Sequence, residues 1–448
     1  MHIESDAHDL VRAAERATSE FIHLPGPNPI LTPGASGSWD DGVIECCDVF
    51  KDHDTYYLYY HGTSSTTGYQ LGVATASAPL GPWTKHAGNP VLRTGAPGSW
   101  DDWSVACAGI LKEGVGSYTM LYSGRSGREG AKWHLGLATA PGPVGPWTKH
   151  EGNPILEDFG YVGGVIRAQG SYWLYTEHPI GSTGEDYGPM CLATAPSLEG
   201  PWTPHGGNPV LAQGEWGEWD DGGFSEAKVL YRDGLFHMFY GGAKLHPRRI
   251  LSRESIGYAY SLDGVHFVKH AANPVAPREA NPDAAAFAEV HAYFEPPFVY
   301  VFHTLRYNSR DGHEDLGVQV LATGKPFRLN MPVLRAETLA PGAVTDLADC
   351  PPISLARVSA CAVTAECTYS PAARGGLRVH LRASGDGLRF DTEDLRTFDL
   401  PWQPGQTVRA TFEFAAAVMF VKATAENLDS AHEARDVRLD VTLGSGPA

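Results

Sequence analysis

The sequence predicts an all-β protein: a five-bladed β-propeller followed by a C-terminal β-sandwich. Three observations predict it. An Asn-Pro marker recurs along the chain, each interval repeats one order of short strand-like segments, and the markers stop near Pro341 while strand-like alternation continues.

The 448 residues exceed the roughly 250–300 that one hydrophobic core usually serves, so at least two domains are expected. Residues 1–24 read as an N-terminal segment with a short amphipathic helix near Asp9–Phe21. Residues 25–341 read as the propeller. Its markers are Asn28-Pro29, Asn89-Pro90, Asn153-Pro154, Asn208-Pro209 and Asn273-Pro274, with a degenerate sixth at Asn330-Met331-Pro332. Their spacings are 61, 64, 55, 65 and 57 residues. Unit one runs Asp48–Lys51, Thr55–Tyr60, Leu71–Ala76 and Pro82–His86; units two to five repeat this order. The segments are rich in β-branched and aromatic residues and bounded by Gly, Pro, Asp and Asn, so each unit reads as four antiparallel strands. Radial closure of such units protects their sheet edges. A solenoid fits less well, because its repeats are shorter and hold fewer elements. The Asn-Pro and Pro-Trp elements read as structural, with the tryptophans wedged between blades. Residues 342–448 alternate as in Leu377–Arg382 and Val408–Phe414 and read as a sandwich, with Pro341–Pro352 as linker.

Composition excludes several function classes. The net charge of −18 opposes phosphate binding, so nucleic acid is not an expected partner. No apolar run approaches the ~20 residues that span a bilayer, so no membrane partner is expected either. The N-terminus lacks the apolar region of a secretion signal, seven cysteines make an odd set, and no C-x-x-C pair occurs; a reducing, cytoplasmic location is the expectation. No metal ligand set is signalled, and a structural calcium ion in the channel is the one cofactor left open. Oligomeric state is left open too.

Strand parity gathers the starts of the inner strands and two sets of loops on one face of the propeller, where a rigid scaffold usually carries function. The blade connections there hold Trp39-Asp40-Asp41-Gly42, Trp100-Asp101-Asp102-Trp103 and Trp219-Asp220-Asp221-Gly222. The first Asp of each pair reads as a turn cap; the second is open to either a structural or a functional reading. Glu45 and Glu226 lie among apolar neighbours on inner strands, and Glu is rarely buried without a partner or a task. Glu289 and His291 occupy the corresponding strand of unit five, although a lone histidine such as His291 is more often a structural hydrogen bonder. His61, Arg125, Glu177, His178, Lys244, His246 and Arg306 fall on the same side. Converging carboxylates in a tryptophan-rimmed funnel suit glycoside hydrolysis, in which one acid protonates the leaving oxygen and a second carboxylate attacks or activates water. Glu45 and Glu226 are the expected catalytic pair, with Asp102 as water-activating base or orienter. Asp41 and Asp221 are expected to bind hydroxyls, with Arg125, His61, Glu289 and His291 as further substrate-binding residues, and Trp39, Trp100 and Trp219 to stack on sugar.

These residues resemble the five-bladed propeller superfamily of glycoside hydrolases that includes families 32, 43, 68 and 130. The resemblance covers Pro25–Leu334 and rests on Trp219-Asp220-Asp221, Glu226-Ala227-Lys228-Val229 and Ile256–Gly264, and on Glu45-Cys46-Cys47-Asp48, which is similar to the Glu-Cys-Pro-Asp acid/base motif of family 32. The Asn-Asp-Pro and Arg-Asp-Pro motifs of that family are absent, and Cys46 and Cys107 stand where family 43 has aspartates. The resemblance implies an exo-acting glycosidase on a small oligosaccharide or glycoside, such as a fructoside or arabinoside. The alternatives are a mannoside phosphorylase, whose phosphate would need Arg125, Lys244, Arg248, Arg249 and Arg306 clustered at the carboxylates, and a non-catalytic carbohydrate-binding propeller whose glutamates are paired to basic residues.

Overall fold

The computed structural model describes residues 21–128, 130–177, 188–244, 253–310, 312–324 and 326–445. The expected helix near Asp9–Phe21 lies outside them except for its last residue. The end of that expected segment is a strand, Ile22–Pro25, which pairs antiparallel with Glu314–Ala322. Among the described residues the chain is all-β apart from one 3-10 turn at Arg278–Ala280.

The repeat units form antiparallel sets in sequence order. Unit one is Ile44–Asp52, Thr55–Gly62, Gln70–Ala76 and Thr84–Lys85. Unit two is Ser104–Gly114, Ser117–Arg125, His134–Ala140 and Thr148–Lys149; unit three is Val162–Ala168, Ser171–Thr176, Cys191–Ala195 and Thr203–Pro204. Unit four is Phe224–Arg232, Leu235–Lys244, Arg253–Ser261 and Val268–Lys269. Unit five is Ala284–Glu295, Phe298–Tyr307 and Glu314–Ala322, with Ile22–Pro25 as its outer strand. The first strand of each unit packs against the first strand of the next, and that of unit five against that of unit one, so the arrangement closes on itself. Asp48 of unit one and Lys228 of unit four, both buried, meet at 2.5 Å. They stand 180 residues apart on inner strands of units that are not sequence neighbours.

In units one, two and four the repeated motifs build the same polar cluster. In unit one, Asp40 accepts hydrogen bonds from Ser38 (3.1 Å), Tyr60 (3.1 Å) and Lys85 (2.5 Å), while Asn89 donates to Tyr60 Oη and takes the Val73 amide on its Oδ1. Asp101, Tyr122, Lys149 and Asn153 repeat it in unit two, and Asp220, Tyr240, Lys269 and Asn273 in unit four. The first Asp of each pair and the Asn-Pro marker are thus structural, because each satisfies buried donors and carbonyls that strand pairing leaves over. The Pro-Trp tryptophans sit between units: Trp83 lies edge-on to Phe302 of unit five at 5.8 Å, and Trp147 to Tyr59 of unit one at 6.3 Å.

The remaining strands form two four-stranded sheets. One orders Arg328–Leu339, Ala434–Gly444, Ala360–Tyr369 and Thr407–Phe414; the other Ile353–Ser354, Phe420–Asn427, Leu377–Ser384 and Arg396–Asp399. Strand Arg328–Leu339, which carries the sixth marker on the N-terminal side of the expected linker, pairs with Ala434–Gly444 rather than with a propeller strand. The inner faces of these sheets share one continuous apolar core with units one and five, from Trp83, Tyr300 and Phe302 through Met331 to Val363 and Leu439. Burial of that seam fixes the C-terminal sheets against the repeat region.

Candidate active site

Every innermost strand slips register at the same height. The shifts fall between Cys46 and Asp48, Ala106 and Gly109, Val162 and Gly164, Phe224 and Ala227, and Ala288 and His291. A β-bulge leaves residues unpaired and re-aims their side chains. The residues skipped here are Cys47, Cys107 with Ala108, Gly163, Ser225 with Glu226, and Glu289 with Val290. Cys107 (φ 49°) and Glu289 (φ 44°) adopt the left-handed region, a strained conformation for side chains of this kind. Amides freed from the ladder are taken up across units: Cys107 N–H donates to His61 Nδ1 at 3.2 Å, Glu289 N–H to Ser225 Oγ at 3.2 Å, and Cys46 N–H to Thr304 Oγ1 at 3.0 Å.

The bulges bring a chain of hydrogen-bonded groups together. Glu45 Oε2 lies 2.5 Å from His61 Nε2, and its Oε1 accepts the Tyr69 hydroxyl at 2.9 Å. Burial opposes the charge of His61, but the neighbouring Cys47 and Glu45 outweigh that and raise its pKa well above the usual imidazole range, with Nε2 facing Glu45. Cys47 Sγ is 3.0 Å from the same Nδ1. The Cys107 thiol donates to Glu226 Oε1 at 3.1 Å, so His61 and Cys107 connect the two glutamates from units one and four. Beside them Arg306 donates to Glu254 (3.0 Å), Glu289 (2.9 Å) and Glu314 (2.9 Å).

So many carboxylates around one guanidinium and one imidazole cannot all ionise, and their environments push them apart. Burial raises Glu226 above the usual carboxylate range, and the nearby Glu45 charge adds to it while the Cys107 thiol opposes it. Burial would also raise Glu45, but His61, Arg306 and the Tyr69 hydroxyl outweigh it and lower Glu45 to about 2. Burial raises Glu314 to about 7 against the pull of Arg306. Glu177 and Glu289 are likewise raised by burial and by neighbouring carboxylates. Neighbouring environments thus push Glu226 up and Glu45 down, with His61 and Cys107 linking the two.

The expected site residues divide cleanly. Glu45, Glu226, His61 and Glu289 converge. His291, past the bulge of unit five, is buried; burial and the charges of Lys228 and His61 hold it neutral. Arg125 ends the second strand of unit two, 6.0 Å from the Trp133 ring centroid. Asp102 is not placed to act as a base: its oxygens accept the Gly98 (2.6 Å) and Gly127 (3.0 Å) amides, which hold it below its usual range and tie down its own loop. Asp41 binds the Gly37 amide at 2.6 Å, and Asp221 the Gly217 amide at 2.9 Å and Lys244 at 2.8 Å. These are loop anchors rather than hydroxyl binders. Trp39, Trp100 and Trp219 do not rim the site; each lies along a Tyr ring of its own unit, at centroid distances of 5.6, 5.7 and 5.8 Å, over paired glycines such as Gly62 and Gly72. His178, His246, Arg248 and Arg249 lie outside the described residues. Among the described residues no group of three or more His, Cys, Asp or Glu is arranged to hold a metal ion. Sequence reasoning missed Tyr69, Glu254, Glu314 and the Cys107 thiol as members of this site.

No protein-family model and no curated protein matches the chain. Solved structures do. One, a complex of BT0996 with RGII, aligns over 70% of this chain and 94% of its own, with 18% identity and a TM-score of 0.53. Another, described as "Glycoside hydrolase", gives the same coverage, 18% identity and a TM-score of 0.53. The chain thus has the all-β, propeller-type fold on which glycoside hydrolases are built.

Proposed function

We propose that the chain is a glycosidase that acts from the end of small furanosides, fructosides or arabinosides, at the carboxylate cluster of a five-bladed propeller. In this reading the five repeat units are the blades, and the two C-terminal sheets are a β-sandwich that begins with strand Arg328–Leu339 rather than after residue 341. The observation that carries the reading is the convergence of Glu45 and Glu226, from units one and four, on the hydrogen-bonded chain of His61 and Cys107. Glu226, whose pKa burial raises, donates its proton to the glycosidic oxygen as the bond to the anomeric carbon breaks. Glu45, kept ionised by His61 and Tyr69, faces the positive charge that develops on the sugar and either attacks the anomeric carbon or draws a proton from water. Arg306 and its three glutamates supply a fixed polar wall for hydroxyl groups.

The hydrolase reading is favoured over a phosphorylase because the cations at hand are already engaged: Arg306 by three carboxylates, Lys244 by Asp221. A purely structural propeller would pair its channel glutamates to bases, as His61 pairs Glu45 and Arg306 pairs Glu254, Glu289 and Glu314; Glu226 departs from that pattern and meets the Cys107 thiol. The test is a screen of aryl furanosides and pyranosides with and without inorganic phosphate. Release of the phenol from a furanoside at a rate independent of phosphate is expected. Release only with phosphate, or from no substrate, would overturn the reading.

A further inference from the structure

Most outer edges of the sheets are closed to further pairing. In the repeat region Thr84–Lys85, Thr148–Lys149, Thr203–Pro204 and Val268–Lys269 span two residues each, and Ile22–Pro25 ends in proline. In the C-terminal sheets Ile353–Ser354 has two residues and Arg396–Asp399 four. The longer edge strand Arg328–Leu339 carries Pro332, slips register between Pro332 and Leu334, and shares a cleft with Phe298 and Tyr300 of unit five. Short strands, proline and bulges are the usual devices that keep an edge from pairing with another chain.

The remaining edge of the C-terminal sheets, Thr407–Phe414, has none of them. It is 8 residues long, pairs with Ala360–Tyr369 without a register shift, and has no second partner strand among the described residues. Tyr369 N–H donates to Gln406 O at 3.0 Å. Hydrogen-bonded pairs alternate along an antiparallel ladder, so the N–H and C=O groups of Thr407, Arg409, Thr411 and Glu413 point away from the sheet. The hydroxyl contacts Thr364–Thr411 (2.9 Å) and Thr368–Thr407 (2.8 Å) agree with this, because side chains come closest at pairs that exchange no backbone bonds. The side chains of those four outward residues are exposed. On the core face Val408 and Phe414 are buried and Ala410 and Phe412 half-buried, with Phe412 stacked on Phe398 of the other sheet at 4.9 Å.

We propose that Thr407–Phe414 is the self-association edge of a homodimer, in which two copies pair antiparallel about a two-fold axis at Thr411 and join their four-stranded sheets into one. Outward groups must meet outward groups, so the axis falls on a residue of the strand rather than between two. At Thr411 the strand complements itself: Thr411 meets Thr411, Arg409 meets Glu413 of the second copy, Glu413 meets its Arg409, and the half-buried Ala410 and Phe412 meet on the core face. An axis at Ala410 or Phe412 would instead set the two charges against threonine or Ala415. Charges of one sign would repel a copy; here one of each stands symmetrically about the centre. Both are available. Glu413 has no ionic partner among the described residues, and Arg409 lies 3.6 Å from Glu366, which Arg438 also approaches at 3.8 Å. One strand pair is a small contact, so the dimer depends on protein concentration. The proposal is independent of the glycosidase reading.

The test is sedimentation velocity on the full chain over a roughly hundredfold range of concentration, across which wild type is expected to pass from monomer to dimer. Arg409→Glu and Glu413→Arg each set like charges opposite one another twice, and each raises the dimer Kd at least about tenfold; the double variant restores both pairs with signs exchanged and returns Kd to within about threefold of wild type. Mild oxidation of Thr411→Cys is expected to give an interchain disulfide, because residues paired across the axis bring their Cα atoms to about 5.5 Å. Thr407→Cys, about 26 Å from its counterpart in this register, stays uncrosslinked. The native cysteines are all buried and do not compete. A wild type that is monomeric throughout, single charge variants that associate like wild type, a double variant no tighter than the singles, or crosslinking at 407 as efficient as at 411 would each overturn the proposal.

Discussion

Replacing Cys107 by Ala should raise the pH at which activity is lost. Glu226 acts protonated in this account, so activity is present below its pKa and falls as pH rises through it. Burial holds that pKa above the usual carboxylate value, and the Cys107 thiol, 3.1 Å from Oε1, opposes the rise by favouring the ionised form. Alanine deletes the donor without disturbing the Cys107 amide that binds His61, and at φ 49° it is no more strained than cysteine. A hydrogen bond of this kind is worth about 1 kcal/mol, and 1.36 kcal/mol corresponds to one pKa unit, so the alkaline limb moves up by about 0.7 pH units. Cys107→Ser, with a stronger donor, moves it down. The assay is kcat/KM against pH with an aryl furanoside. An alkaline limb that stays put in both variants, or falls in the alanine variant, would show that Glu226 is not the group whose proton is used.

Three further outcomes follow from the same contacts. The raised pKa of Glu226 means that its ionised form destabilises the fold above the unfolded value near 4.3, so Glu226→Gln should raise the urea midpoint at pH 7.5, with the gain shrinking toward pH 4. Lys228→Met leaves buried Asp48 without its cation and should cost about 3–5 kcal/mol in denaturant unfolding; adding Asp48→Asn, which keeps an acceptor for the Val49 or Ile110 amide, should recover part of the loss. Asp102→Asn should leave kcat unchanged while loosening the loop that Gly98 and Gly127 hold, seen as faster amide exchange there; a large loss of kcat would restore Asp102 to the chemistry.

The repeat was legible because units one, two and four use the same few polar residues to satisfy their edges: the Asp, Tyr, Lys and Asn of the recurrent cluster all stand in the spacing of the motifs. Glu45 and Glu226 were legible because a carboxylate inside an apolar strand calls for an explanation. The same repetition misled the reading of the Trp-Asp-Asp triplets, whose tryptophans and second aspartates serve the loops. Regularity across units was the sign of structure. The bulges leave no mark in a hydropathy pattern, so Cys107 looked like a lost aspartate rather than a thiol turned toward Glu226. Glu254 and Glu314 lie at the beginnings of the third strands of units four and five; Glu314 reaches Arg306 as its cross-strand partner, and Glu254 through the pairing of its strand with Ala284–Glu295 of unit five. Within the expected N-terminal segment, Ile22–Pro25 alternates too briefly to be recognised as a strand without its partner, Glu314–Ala322, nearly 300 residues away.

The division of labour between the two glutamates is tested most directly by leaving-group dependence. Glu226→Gln and Glu45→Gln are each assayed on a dinitrophenyl furanoside, whose leaving group departs without a proton, and on the corresponding alkyl furanoside, which needs one. The account predicts that Glu226→Gln loses roughly 10²–10⁴-fold on the alkyl substrate and far less on the dinitrophenyl one, while Glu45→Gln loses heavily on both. Wild-type rates in either variant, or the same leaving-group pattern in both, would contradict it.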